Sequence, residues 1–578
     1  MLEAATAAAL LYAGYQILSK FFLYIAGLHG PDATLYFTMG NAIRNGLIIY
    51  RDVFDPKPPG IFLLSAASFS LFGDGRITGV FNVIILLSIP ALFLRWGYVY
   101  AKKQEKFTRF ILLQCALMLG LTFTLYHATI GGDVQTEFYG AFFGLLYLLC
   151  VDADQRRPGI LNVLFASVFF AIALLFKEPF LLTLLACAVL MLRARREWVR
   201  LFIVPLITAG VLYIVVLASL GALGSYLSVY LTSMLGNYIL SGGPVWARGF
   251  FAWERIFLNV REFTLLFVVL VPVLFILSLP PDASKRRSFI GITGTIFSIA
   301  VVLIIRSFYP AQFPWQILPI PSAVIFGLSV MALIIALQLS SFRAFLQRTW
   351  RHALAVYITV TAIALGSSFH GQYFALALPV YATFFLLFLR QSRHSSPKIL
   401  GFTALTALVL LTSTPFISSG RTLAQMTGQI RQTEERDRTA AQALDQMLDA
   451  CSIDRYYFLE DRAYMPYAEH SPLNYYLYTR IEHIGRYHPQ FFDESFKRLG
   501  QARVIVLSKE YEPVTRPGYA LEECIGMSVQ KFLSEKFTET PWACAQSRTS
   551  PDGYIMLYRK DPKDVSLPSD CHGSRSLP

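Results

Sequence analysis

Charge is what this sequence has least of. Asp, Glu, Lys and Arg together make up 15% of its 578 residues, against 55% hydrophobic residues and a mean hydropathy of +0.50. So little charge cannot cover the surfaces of several water-soluble domains, and the composition is that of an integral membrane protein. Cysteine is scarce too, at seven residues, none in the C-x-x-C or His-spaced patterns that zinc requires. No Gly-rich phosphate loop is present. No basic stretch precedes the first apolar run and no small-residue cleavage site follows it, so that run is expected to be retained as a span.

What the chain does have is apolar runs, recurring from the N-terminus to Phe416, each near the roughly 20 residues that a bilayer core demands. The spans predicted are Ala4 to Leu28, Ile77 to Leu94, Phe110 to Tyr126, Phe138 to Val151, Ile160 to Phe176, Phe180 to Leu192 and Leu201 to Leu220. The series continues with Phe263 to Leu279, Phe289 to Ile305, Ile317 to Leu339, Leu354 to Leu365, Phe374 to Leu389 and Ile399 to Phe416. The expected fold is a polytopic α-helical membrane protein of about thirteen transmembrane helices over residues 1–417. A soluble α/β domain is expected over residues 418–578. Its strands are read at Tyr456 to Leu459, Arg503 to Leu507 and Tyr554 to Tyr558, behind a solvated helix from Arg421 to Ala450.

A net charge of +13 raises the question of nucleic acid, and the places of the basic residues answer it. They crowd alternate loops, as in Lys102, Lys103, Lys106 and Arg109, in Arg193, Arg195, Arg196 and Arg200, and in Lys285, Arg286 and Arg287. That bias reads as a cytoplasmic N-terminus and excludes nucleic acid as the explanation. An odd number of spans then puts the tail outside. Cys451, Cys524, Cys544 and Cys571 of the tail fit one or two disulfides in an oxidising compartment, with the pairing left open. Cys115, Cys150 and Cys187 fall in apolar runs and read as small buried hydrophobes.

Basic residues outside oppose the orientation rule and need another reason. Several fall in or beside the stretch from Gly30 to Gly60, GPDATLYFTMGNAIRNGLIIYRDVFDPKPPG, far longer than a connection between two spans requires. Thr34 to Asn45 and Pro59 to Phe72 are too short to cross and read as two interfacial helices of this first external loop. A single broken hairpin from Pro59 to Leu94 is the alternative. The loop from Gly221 to Arg261 is also long and aromatic, fitting an interfacial belt or a mobile gate.

The order Asp32 through Tyr36, then Ala42, Gly46, Tyr50 and Asp52, ending in FDPKPPGIF and LFG, resembles the first extracytoplasmic loop of the C-type glycosyltransferase superfamily. It is most similar to the branch holding bacterial protein O-mannosyltransferases and lipid A aminoarabinose transferases. VQTEFYGAFF, FKEPFLL and HGQYFALALP are weaker echoes, and the likeness hardly extends to the tail. The resemblance implies a multi-pass enzyme of the bacterial inner membrane, with its C-terminal domain outside. It also implies transfer of a sugar from a polyprenyl-phosphate donor to a glycan, lipid or protein acceptor, with inversion. Such chemistry needs a base for the acceptor hydroxyl, cations for the departing phosphate and a groove for the lipid.

The resemblance makes Asp32 the base, although an Asp after Pro31 also suits a helix cap. Ala33 departs from relatives that carry a second acid there. Lys57, held on a stiff turn between Pro56 and Pro58, is expected to bind the donor phosphate, or to snorkel to lipid headgroups, with Asp55 orienting it. Asp133 and Glu137, one helical turn apart, either assist the base or bind a divalent cation with Asp32; Asp133 also reads as a solvated loop acid. Lys177 and Glu178 occupy a tight outer turn and are either functional or simply paired with each other. Arg306 and His370, at outer span ends, complete the expected phosphate cradle. Lys20, within the first span, either snorkels or faces the cavity. The competing reading is a transporter or flippase of lipid-linked sugars, which should carry charges near the bilayer midplane rather than at the outer rim. A cell-wall scaffold with a membrane anchor is a third.

Overall fold

The computed structural model describes residues 2–25, 31–102, 104–129, 135–234, 340–365, 375–391, 423–459, 465–475, 477, 489–508, 520–546 and 554–561. The described part of the membrane half is mainly helical. Helix α1 is Leu2–Ile25, α2 Pro31–Arg44, α3 Pro59–Phe72, α4 Arg76–Ala101, α5 Lys106–Thr129, α6 Thr136–Arg156, α7 Ile160–Phe176 and α8 Phe180–Met191. Helix α9, Arg195–Ser219, is one apolar run with a π-helical turn at Val199–Ile203. Helices α10, Ser340–Ala364, and α11, Leu378–Gln391, follow.

Among the described residues, four stretches are long and apolar enough to cross a membrane: α4, Lys106–Thr124 of α5, α6 and α9. Large apolar side chains point outward along single faces, as in Val80, Ile84 and Leu87 of α4 and Ile207, Val211, Ile214 and Val215 of α9. A water-soluble protein rarely exposes contiguous apolar stripes of this kind, whereas lipid tails cover them at no cost. The spans expected at residues 263–279, 289–305, 317–339 and 399–416 lie outside the described residues. Helix α10 starts well before Leu354, because Ser340 to Arg351 continues the same helical turn register into the basic loop.

The two short helices of the first loop are α2 and α3. Pro59 opens α3 at its first turn, where a missing N–H costs nothing, and Gly73 closes it in the left-handed conformation, φ 69°. Helix α4 then begins afresh at Arg76, three residues after α3 closes at Gly73. Two glycines set the packing. A Cβ on Gly40 of α2 would come within 2.6 Å of the Ala66 backbone nitrogen, and one on Gly60 within 2.6 Å of the Leu175 carbonyl oxygen. Only glycine lets α3 approach both α2 and the end of α7 so closely. Lys20, on α1, is buried and its ammonium lies over the Tyr24 ring at 5.7 Å.

Among the described residues, the C-terminal part of the chain holds a five-stranded mixed sheet of order β2-β1-β3-β5-β4. Its strands are β1 Arg455–Leu459, β2 Ser471–Pro472, β3 Val504–Ser508, β4 Phe537–Thr538 and β5 Tyr554–Arg559. The two parallel pairs, β1 with β2 and β1 with β3, place Tyr457 opposite Ile505; β3 and β5 run antiparallel with Ile505 opposite Leu557. Helix α12, Leu423–Ala450, leads into the sheet, and α13, Pro489–Gln501, and α14, Ala520–Lys536, accompany it. Read from sequence as solvated, α12 in fact buries Ala440, Ala441, Leu444, Met447 and Leu448 along one face. Cys451, just after it, is bonded to Cys544, 93 residues on, and Cys524 is disulfide-bonded as well. Cys115, Cys150 and Cys187 sit on α5, α6 and α8.

Candidate active site

Four of the residues singled out above converge where the starts of α2 and α6, the turn before α3 and the turn after α7 meet. Asp32 stands in the first turn of α2, half-buried. Gln135, the residue that begins α6, does not cap its own helix; its Nε2 donates to Asp32 Oδ2 at 3.1 Å. That bond crosses 103 residues of sequence and ties the two helix starts together.

Glu137, one step into α6, is fully buried. Its Oε1 lies 2.7 Å from Lys177 Nζ, and its Oε2 accepts a hydrogen bond from Thr136 Oγ1 at 2.9 Å. A buried carboxylate without such a partner would face a desolvation penalty of several kcal/mol, so the ammonium is what makes its charge tolerable here. Lys177 is also buried, at the turn that Phe180 N closes on the Lys177 carbonyl. The ion pair therefore joins residues 40 apart in sequence, not Lys177 and its neighbour Glu178. Glu178 instead accepts from Tyr230 Oη at 2.7 Å and from Tyr213 Oη at 3.3 Å. Burial lifts the Glu178 carboxyl above its ordinary value, against the pull of those hydroxyls and of Lys177.

Lys57 is buried on the turn that leads into α3, its amide bonded to the Asp55 carbonyl at 2.8 Å. The positive charge of Lys57 acts on both Tyr36 and Glu137. Tyr36, on α2, is the common neighbour of the cluster: it is wholly buried and feels Lys57, Asp32, Asp55 and Glu137 together. Burial pushes its phenol well above the usual value, Lys57 opposing and the three carboxylates adding, so it stays a neutral donor. Its oxygen has no hydrogen-bond partner among the described residues. Left so, a buried hydroxyl costs about 1–3 kcal/mol.

The Lys57 turn is itself unusual. Tyr50 has a left-handed backbone, φ 64°, in a fully buried aromatic residue, a conformation that costs roughly 1–3 kcal/mol. Bonds hold it there: Tyr50 N to Val53 O at 2.7 Å, Tyr50 Oη to Lys57 O at 2.8 Å and Tyr475 Oη to Tyr50 O at 3.1 Å. At about 1 kcal/mol each, they offset the strain. Tyr50 also packs on Tyr230 at 4.8 Å, and Tyr230 stacks on Tyr226 at 4.8 Å. Tyr226 and Tyr230, from the aromatic loop that starts at Gly221, form with Tyr50 a wall beside Glu178. The rest of that loop, with Tyr238 and Trp246, lies outside the described residues.

Asp133, Arg306 and His370 also lie outside them. Among the described residues no group of three or more His, Cys, Asp or Glu stands close enough together to hold a metal ion. Sequence reasoning passed over Gln135, whose only signal was its place in VQTEFYG, and Tyr36 as more than a motif residue. It also passed over Tyr475, which carried no signal.

No family model matches the chain, and no curated protein matches it. Among solved structures, it is similar to the crystal structure of ArnT from Cupriavidus metallidurans bound to undecaprenyl phosphate. The identity is 15%, 96% of this chain and 98% of that one are covered, and the TM-score is 0.39.

Proposed function

We propose that this protein is a membrane glycosyltransferase that moves a sugar from a polyprenyl-phosphate carrier to an acceptor on the outer side of the membrane. The observation that carries the reading is the convergence of Asp32, Lys57, Glu137 and Lys177 around Tyr36, with two acids, two cations and a neutral hydroxyl donor in one cluster. The first-loop resemblance supports it independently, because Asp32 and Lys57 are the residues that resemblance marks.

The reaction runs as a single displacement. The acceptor hydroxyl attacks the anomeric carbon while Asp32 takes its proton, and the bond from that carbon to the phosphate oxygen breaks with its electron pair on the phosphate. Attack from the face opposite the leaving group inverts the centre. Lys57, with Tyr36 donating beside it, stabilises the charge that builds on the leaving phosphate; a fixed cation in a water-poor site does so without reorganising. Gln135 holds the Asp32 carboxylate in one orientation, and Glu137 keeps Lys177 beside the phosphate. Arg306 and His370 complete the phosphate cradle, and Asp133 assists the base. The donor lipid lies along the apolar helices, the tail stands outside, and the acceptor is a glycan, a lipid or a protein.

Mass spectrometry of lipids that copurify with the protein, together with a transfer assay on that lipid in proteoliposomes, tests the reading. A bound polyprenyl-phosphate sugar that the protein consumes is expected. Translocation of the lipid with its sugar bond intact would overturn the enzyme in favour of a transporter.

A further inference from the structure

The turn that presents Lys57 is built half from the membrane part of the chain and half from its C-terminal domain. Phe54 N donates to Tyr475 O at 2.6 Å and Leu477 N to Phe54 O at 3.2 Å, so the segment after β2 runs alongside the turn like an added strand. Phe54 packs its ring against Phe491 at 4.3 Å, on α13. About two turns further along α13, the guanidinium of Arg498 covers a row of backbone carbonyls. Its Nη1 donates to Asp52 O and, at 3.4 Å, to Leu473 O; its Nη2 donates to Arg51 O at 3.4 Å. Its Nε is held by Glu494 Oε1 at 2.8 Å, and its plane lies over the Tyr475 ring at 4.9 Å. The Arg498 side chain is 11% exposed.

Arg51 and Asp52 immediately follow Tyr50, the left-handed residue whose hydroxyl holds the Lys57 carbonyl. A strained backbone persists only where its surroundings over-determine it. A planar fork of five donors matches several carbonyls at once, which a single ammonium on a flexible stem cannot do.

We propose that Arg498 is a positioning residue for Lys57. It locks the Arg51 and Asp52 carbonyls, keeps Tyr50 in its left-handed conformation, and so lets the C-terminal domain set where Lys57 meets the donor phosphate. This rests on the reading of Lys57 as the phosphate cation.

The test measures undecaprenyl phosphate binding to the full-length protein in detergent micelles, with donor KM and kcat beside it, for Arg498→Met, Tyr475→Phe, Lys57→Ala and the Arg498→Met/Lys57→Ala pair. Arg498→Met is expected to weaken binding about fivefold and raise donor KM with kcat nearly unchanged. Tyr475→Phe, which loses only the bond to Tyr50 O, should shift both by about twofold in the same direction and serves if Arg498→Met does not fold. On the Lys57→Ala background Arg498→Met should add nothing, because its effect runs through Lys57. Equal losses in both backgrounds, or unchanged binding in Arg498→Met and Tyr475→Phe while Lys57→Ala weakens it, overturn the positioning role and leave the phosphate reading standing. Unchanged binding in Lys57→Ala overturns the phosphate reading, and the positioning role with it.

Discussion

Lys177 Nζ lies 2.7 Å from Glu137 Oε1, so the turn after α7 and the first turn of α6 are joined by a buried ion pair beside Asp32 and Lys57. Both side chains are less than a tenth exposed, and removing either one takes from a buried charge its partner at 2.7 Å.

Replacing one member of that pair should therefore hurt more than replacing both. Lys177→Met is expected to destabilise the protein by about 3–5 kcal/mol, and Glu137→Leu on the same background to restore part of it. Thermal unfolding in detergent checks this. Equal stability of Lys177→Met and the parent would mean that water reaches Glu137.

Asp32→Asn keeps the shape and the Gln135 contact but removes the base. Transfer from a polyprenyl-phosphate sugar is expected to fall by about 10²–10⁴-fold in kcat, with donor binding intact. Full turnover in a folded Asp32→Asn protein would sink the assignment.

Lys57→Ala should act on binding. A charge-assisted hydrogen bond of about 1.5–3 kcal/mol corresponds to roughly 10- to 150-fold weaker retention of undecaprenyl phosphate, measured by a lipid-binding titration.

The Glu178 carboxyl sits above its ordinary 4.5, burial being the largest cause. A raised folded-state value means that its favourable contribution is full below 4.5 and is lost as pH rises through the folded value. Glu178→Gln keeps an acceptor for Tyr230 and Tyr213 and cannot ionise. Between pH 4 and 8, on the order of the carboxylate titration range, the parent should lose stability relative to Glu178→Gln. Parallel unfolding curves across that range would contradict the shift.

The disulfide between Cys451 and Cys544 closes 93 residues of chain. Cys451→Ser/Cys544→Ser is expected to cost about 2–5 kcal/mol, read as an unfolding temperature below that of the parent under non-reducing conditions.

Composition and pattern determined the class of this protein. Scarce charge and apolar runs of bilayer length made the helices legible, to the residue in Ile160–Phe176 and Pro59–Phe72. Short runs of aromatic and aliphatic residues marked β1, β3 and β5, because the residue preferences of a strand are local. Asp32, Lys57, Glu137 and Lys177 could be singled out one by one, since each is a charge at the end of an apolar run. How they combine was not legible. Glu178 was as good a partner for Lys177 in sequence as Glu137, and only the close approach of α3, α6 and α7 chose between them. Gln135 on Asp32, Arg498 on Arg51 and Asp52, and Asn41 on Ala468 span 103 to 447 residues. Contacts at such separations follow from how whole helices and a sheet pack, which leaves no period or spacing in the chain. Tertiary structure alone therefore built the turn that carries Lys57.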